Sequence, residues 1–227
     1  MSEINMLQVF NLTKKFIYQE TKLEILKNIN FIFEQSKSYS ITGVSGSGKS
    51  TLIHLLSGTD LPTSGNIFFN GKDINKFTQD QKANFLNKEI GLVFQEPYLI
   101  KELTVLENII IKGLIDGSNI NDCKNEGMTL LQKIGLEKKA NQFPTTLSVG
   151  QQQRVAILRA IFNKPEFLLA DEPTANLDEN SRMNILNLFK SFQEDFGSGI
   201  IIVTHDKYII DNSQFKLHLE NGSLFLN

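Results

Sequence analysis

Gly43-Val44-Ser45-Gly46-Ser47-Gly48-Lys49-Ser50-Thr51 fits the pattern G-x-x-x-x-G-K-[ST], and the reading of the whole chain works outward from it. Each residue type in the pattern has a chemical reason. Gly46 and Gly48 let the backbone turn its N–H groups inward into an anion nest, where a side chain would clash with phosphate. Lys49 adds a point charge that can reach the β- and γ-phosphates of a nucleotide, and the Ser50 hydroxyl can ligate Mg²⁺. The flanks agree. Tyr39-Ser40-Ile41-Thr42 reads as a short strand, and Lys49 to Leu56 as a helix whose positive N-terminal end faces the bound anion.

With 227 residues the chain can bury a sizeable core, as one large domain or a domain with an inserted lobe. A net charge of -2 gives no overall basic signature for nucleic acid, so no nucleic-acid partner is expected. The single cysteine, Cys123, permits neither an intrachain disulfide nor a cysteine-based zinc site, which suits a reduced, cytosolic compartment. Met1 to Met6 carries no basic and apolar signal regions, and no apolar stretch approaches the ~20 residues a membrane span needs.

Upstream of the loop, Leu7-Gln8-Val9-Phe10 alternates like a half-buried strand, and Ile29 to Phe33 does so loosely. Between them Thr13 to Tyr18 reads as a polar turn region carrying two aromatics, either stacked on a base or packed on a hairpin. Asn70-Gly71, between short β-like runs, signals a hairpin. This part is expected to be antiparallel and wrapped around the strand that delivers the loop.

Downstream, Gly91 to Phe94 reads as a strand ending at Gln95, whose carbonyl oxygen can serve a metal or water or simply face solvent. From about Glu96 to Ser148 the period becomes helical, with apolar stripes at Val105, Leu106, Ile109 and Ile110 and again at Leu130, Leu131, Ile134 and Leu136. Ser148 suits an N-cap for the helix that follows, whose start is an ordinary cap or an anion site. Phe167 to Ala170 is an uninterrupted apolar run, suited to a strand buried on both faces, and ends in Asp171-Glu172. Two carboxylates there are costly to bury. Asp171 can hold Mg²⁺ through water, and Glu172 can orient or deprotonate an attacking water. Ala175 to Asp178 reads as a turn before an amphipathic helix over 179–196. Gly199 to Val203 repeats the buried-strand pattern before His205, and Leu217 to Leu226 is a hairpin on Asn221-Gly222.

Taken in order, these motifs resemble the ATP-binding cassette (ABC) ATPases over nearly the whole chain. The resemblance implies an α/β fold: a P-loop NTPase (RecA-like) core with an antiparallel β subdomain and an inserted α-helical subdomain. It places one ABC ATPase domain at 7–226, with 7–95 and 156–226 forming the core and β subdomain and about 96–155 the helical signature subdomain. By the same resemblance Gly43, Val44, Ser45, Gly46, Ser47, Gly48, Lys49, Ser50 and Thr51 look like Walker A, and Gln95 like the Q-loop. Leu147 to Gln151 resembles the LSGGQ signature, so Ser148, Gly150 and Gln151 are expected to face the ATP of an opposite copy. Phe167 to Glu172 looks like Walker B with its catalytic Glu172, Asp178 belongs to the D-loop, and His205 looks like the switch histidine. Phe16 is preferred over Tyr18 as the adenine-stacking ring. Mg²⁺ is expected at Ser50, Gln95 and Asp171, and catalysis at Glu172, His205 and Lys49.

Val149 departs from the family pattern, standing where a glycine is usual. A β-branched residue resists positive φ, so turnover is expected to suffer more than nucleotide binding. The resemblance further implies that two cassettes pair head to tail, as a homodimer, and drive an integral membrane permease. Such a chain is peripheral, on the cytoplasmic face of the inner membrane. Leu56 to Gly65 and Ser148 to Ile161 look most like the lipoprotein-releasing and macrolide-exporter subgroup. The alternatives are a cell-division ABC complex that signals, and a soluble DNA-repair ABC ATPase. The latter commonly carries coiled-coil or zinc insertions, and none lies between Lys49 and Asp171.

Overall fold

Alternating apolar residues at the start of the chain form a long hairpin, β1 (Met6–Tyr18) and β2 (Thr21–Glu34). β3 (Ser38–Thr42) then delivers the phosphate loop to α1 (Lys49–Leu56). Asn70 and Gly71, at φ 48° and 76°, turn β4 (Ser64–Phe69) into β5 (Lys72–Asp73), left-handed conformations that Asn and Gly adopt at least cost. After α2 (Gln79–Asn84), β6 (Ile90–Val93) ends just before Gln95. The helical region holds α3 (Val105–Ile115), α4 (Ile120–Lys133) and the start of α5 (Val149–Ile161). β7 (Phe167–Asp171), α6 (Glu179–Phe196), β8 (Gly199–Val203) and α7 (Lys207–Asn212) follow. β9 (Phe215–Glu220) and β10 (Ser223–Leu226) close the chain.

The computed structural model describes residues 5–18, 21–175 and 177–227, with Tyr18 and Thr21 given by backbone alone. Met1 to Ile4, the Tyr18 side chain (the alternative stacking ring) and Asn176 of the 175–178 turn lie outside the described residues.

Among the described residues the strands form two sheets. One is antiparallel, in the order β2-β1-β4-β5; the other runs β10-β9-β3-β8-β7-β6 and is parallel from β9 to β6. Successive residues of its central strands point to opposite faces, as a pleated strand requires. Leu168, Ala170, Ile200 and Ile202 join a core with α3, α4, α5 and α6. Phe167, Leu169, Ile201 and Val203 join a second core with α1 and the antiparallel sheet. Each Leu, Ile, Val or Phe among them contributes about 1.5–3 kcal/mol on full burial. α5 runs unbroken across residues 155 and 156, and its Val155, Ile157 and Leu158 lie in the same core as the sheet.

Two expectations are corrected. Thr13 to Tyr18 is not a turn but the outer half of β1, with Phe16 opposite Leu23 and Ile17 opposite Lys22. Ladder pairing satisfies the backbone there and overrides the polar composition. The antiparallel strands also do not wrap β3, because β8 and β9 occupy both of its edges. They pack instead as a separate layer through the shared core.

Lys112 ties α3 to the sheet. Its ammonium donates to the Ile90 carbonyl at 3.0 Å, while its own carbonyl accepts from Asn87 at 3.2 Å and Asn163 at 3.3 Å. Burial, with Arg159 nearby, lowers its pKa from 10.5 to about 8. Between those values the unfolded chain holds a proton that the folded chain has lost, so stability from this group rises with pH across the window. Denaturant titrations of wild type and Lys112→Met at neutral pH and at about pH 10 should show wild type gaining on the mutant as pH rises. Parallel pH profiles would exclude Lys112 as the source.

Candidate active site

β3, β8, β7 and β6 are neighbours in that order and run parallel, so their carboxyl ends share one rim of the sheet. Each end delivers one group: the phosphate loop after β3, His205 after β8, Asp171 and Glu172 at the end of β7, and Gln95 after β6. Ligands of open α/β sheets lie outside such ends. A cleft of about 630 Å³ opens there, lined by Ser45, Gly46, Gly48, Lys49, Ser50 and Thr51 together with Gln95, Asp171, Glu172 and His205. Phe16, 44% exposed, borders it from the antiparallel hairpin.

Within the loop, Gly43 and Val44 present their carbonyls to the buried Lys49 ammonium at 2.8 and 3.2 Å. Ser47 keeps a buried hydroxyl with no partner among the described residues. Gly48 sits at φ 103°, and a Cβ there would lie 2.6 Å from the Ile25 methyl, so both backbone and space require glycine. Ile25 itself lines the cleft, as does Ala175. Nothing in the local pattern marked Ile25, because only the packing of the two sheets brings it there.

Glu172 adopts φ 46°, a left-handed conformation uncommon for its type and a form of strain that gathers at functional sites. The turn is held by its N–H donating to the Val203 carbonyl at 2.9 Å. One carboxylate oxygen accepts from the His205 backbone N–H at 3.3 Å, and the other lies 3.5 Å from His205 Nε2. Thus β7 and β8 lock acid and histidine together.

Ser148, Gly150 and Gln151 do not line the cleft, nor does Asp178. Ser148 and Gln151 form a reciprocal capping box: the Ser148 hydroxyl accepts from the Gln151 N–H at 3.4 Å, and the Gln151 side chain accepts from the Ser148 N–H at 3.1 Å. Asp178 caps α6, and hydrogen bonds from the Ser181 hydroxyl and N–H hold its carboxyl below the usual range. Val149 is the first residue of α5, in helical conformation with its side chain 58% exposed. The expected conflict with positive φ is therefore corrected: the position needs no left-handed backbone, and a valine fits it. Gly150 is where space is short, since a Cβ there would lie 2.5 Å from Ser181 Oγ and 2.9 Å from its Cβ.

Further contacts brace the segments that carry the cleft residues. Gln153, 2% exposed, donates to the Phe94 carbonyl at 2.9 Å. Arg159 donates to the Tyr98 and Pro97 carbonyls at 2.8 and 2.9 Å, so α5 holds the segment containing Gln95 from both sides. A signal existed for Gln153, a glutamine three and seven positions before Ala156 and Ala160 on the apolar face. Asp206 joins Thr174 and Arg182 at 3.2 Å each, bracing the His205 segment against α6.

A family model described as "ABC transporter" matches residues 26–175. The chain is 40% identical over 221 residues to the "Lipoprotein-releasing system ATP-binding protein LolD" of Buchnera aphidicola subsp. Schizaphis graminum, covering 97% of this chain and 96% of the relative. The protein of that name from Wigglesworthia glossinidia brevipalpis is 37% identical, with 99% and 98% covered. Among solved structures, the ATP-binding cassette MJ0796, a dimer in a post-hydrolysis state with ADP and Pi, superposes with a TM-score of 0.90 at 33% identity over 96% of each chain.

Gly150→Ala should lower stability by about 1–3 kcal/mol, the usual cost of overpacking, as read by denaturant titration. Measured in a Ser181→Gly background, which removes the clashing side chain, Gly150→Ala should cost markedly less; an equal cost in both backgrounds would move the cause elsewhere. Val149→Gly should leave ATP turnover unchanged, because it relieves no strain. A several-fold gain in a steady-state assay would show that the valine does obstruct the site.

Proposed function

The chain belongs to the ABC transporter family, and on that premise we propose that it is the ATP-binding and ATP-hydrolysing subunit of a lipoprotein-releasing transporter, powering a separate membrane subunit. One observation carries the residue roles. The phosphate loop, Gln95, Asp171, Glu172, His205 and Phe16 border one cleft, while the signature residues Ser148, Gly150 and Gln151 do not. A site so divided is completed by a second cassette, whose signature helix closes over the first copy's ATP. The dimeric relative supports that pairing.

Phe16 stacks on adenine, and the loop N–H groups with Lys49 hold the β- and γ-phosphates. Ser50, Gln95 and Asp171 bring hydroxyl, amide and carboxylate oxygens to the same cleft, a hard donor set that suits Mg²⁺. When bound, Mg²⁺ neutralises phosphate charge. Glu172, fixed by the His205 N–H, accepts the proton of the attacking water as its oxygen bonds to the γ-phosphorus. The bond to the β–γ bridging oxygen breaks, giving ADP and phosphate. His205 lies at the γ-phosphate end of the site and steadies the developing charge. Asp178, through its turn, lies beside the dimer contact.

Among the described residues no helix is long and apolar enough to cross a membrane. On this reading the chain sits peripherally, at the cytoplasmic face, against permease subunits that dock near residues 95–102. The helical region, about 96–155, acts as a subdomain that carries the signature.

Glu172→Gln tests the proposal. The amide is nearly isosteric but a far poorer base, so single-turnover hydrolysis should fall by ~10²–10⁴-fold while ATP stays bound. ATP then glues two copies, and gel filtration should show a dimer only when ATP is present. Normal hydrolysis would displace Glu172 as the base, and a monomer at saturating ATP would overturn closure by a second copy.

A further inference from the structure

A buried cation lies beneath the ring that borders the cleft. Lys14 is 9% exposed, and its ammonium has three partners. It pairs with the Asp60 carboxylate at 2.8 Å, donates to the Leu61 carbonyl at 2.7 Å, and sits 4.9 Å from the centroid of Phe16. Phe16 lines the cleft and Lys14 is not among its lining residues, so the ammonium reaches the ring without bordering the cleft itself. Asp60 and Leu61 belong to the segment between α1 and β4, immediately after the helix that begins in the phosphate loop. Lys14 therefore connects the hairpin bearing the ring to the element bearing the phosphate site.

We propose that Lys14 is the positioning residue of the base platform: it fixes the Phe16 ring at a set distance from the phosphate loop and polarises it for stacking. The proposal rests on the reading of Phe16 as the adenine-stacking ring. A plain strut between hairpin and helix would be complete with Asp60 and Leu61 alone. The ring contact adds an attraction between cation and π face that holds one ring orientation. A ring drawn toward a cation on one face offers a more electron-poor opposite face, which suits an electron-rich purine. Lys14 is not among the residues that line the cleft, so on this proposal it acts on the base of the nucleotide through Phe16 and not by direct contact.

The full-length chain is titrated with Mg-ATP and, separately, with inorganic tripolyphosphate, which has the phosphates but no base. Lys14→Met should weaken Mg-ATP about threefold to tenfold, the range expected for loss of a partly desolvated cation–π contact. Tripolyphosphate affinity should not change, and Lys14→Arg should restore most of the ATP affinity. In a Phe16→Ala background Lys14→Met should add nothing. Lys14→Gln, which can still donate to the Leu61 carbonyl, is read the same way and covers the case in which the methionine variant folds poorly. Equal weakening of tripolyphosphate, full ATP affinity in both neutral variants, or an undiminished effect in the Phe16→Ala background would each overturn the proposal. Phe16→Ala alone reports on the underlying reading: unchanged ATP affinity there would remove the platform itself, and Lys14's role with it.

Discussion

The site depends on β8 lying between β3 and β7 in one parallel sheet. Parallel strands end on the same side, so three segments distant in sequence present their carboxyl ends together. Side-chain alternation holds that order. Leu168 and Ala170 with Ile200 and Ile202 face the helical core, while Phe167 and Leu169 with Ile201 and Val203 face the other. A strand buried on both faces and hydrogen-bonded on both edges has little freedom to shift, because a one-residue slip would exchange its two faces. Asp171 lies opposite Val203 in that ladder, and Glu172 hydrogen-bonds to the same residue. The geometry of acid and histidine is thus set by sheet register rather than by a flexible loop.

The two ends of the cleft come from different layers. The phosphate loop belongs to the parallel sheet, and Phe16 to the antiparallel hairpin. Their separation is set where the layers touch: at Gly48, which lets the Ile25 methyl approach the loop closely, and at Lys14, which grips Asp60 and Leu61. With Phe16 proposed as the base platform, this contact would set the distance between base and phosphate sites.

α5 performs two tasks along one unbroken rod. Its first turn carries the capping box of Ser148 and Gln151, set against the start of α6 by the small size of Gly150. Further along, Gln153 and Arg159 hold the backbone of the segment containing Gln95. Both ends of α5 are therefore tied to strand ends of the sheet, one through α6 and the Asp178 cap, the other through the residues after β6.

The sequence by itself determined the local chemistry. Gly46, Gly48, Lys49 and Ser50 define a phosphate loop wherever they stand between strand and helix, and Asn70-Gly71 and Asn221-Gly222 define tight turns, because these depend on φ preferences and charges within a few residues. The long apolar runs ending at Asp171 and before His205 announced strands buried on both faces for the same reason. Tertiary structure alone decided how these parts meet. The extended state of Thr13 to Tyr18 comes from pairing with β2, which overrules its composition. Ile25 enters the cleft, and Lys14 takes its place under Phe16, only because two sheets pack together. Val149 reads as a misfit beside the family pattern and proves to be an ordinary helical residue, whereas Gly150 is the position the α5–α6 contact holds to glycine. Motif chemistry is written in neighbouring residues, but distances across a fold arise from the packing of layers, which no short stretch of sequence contains.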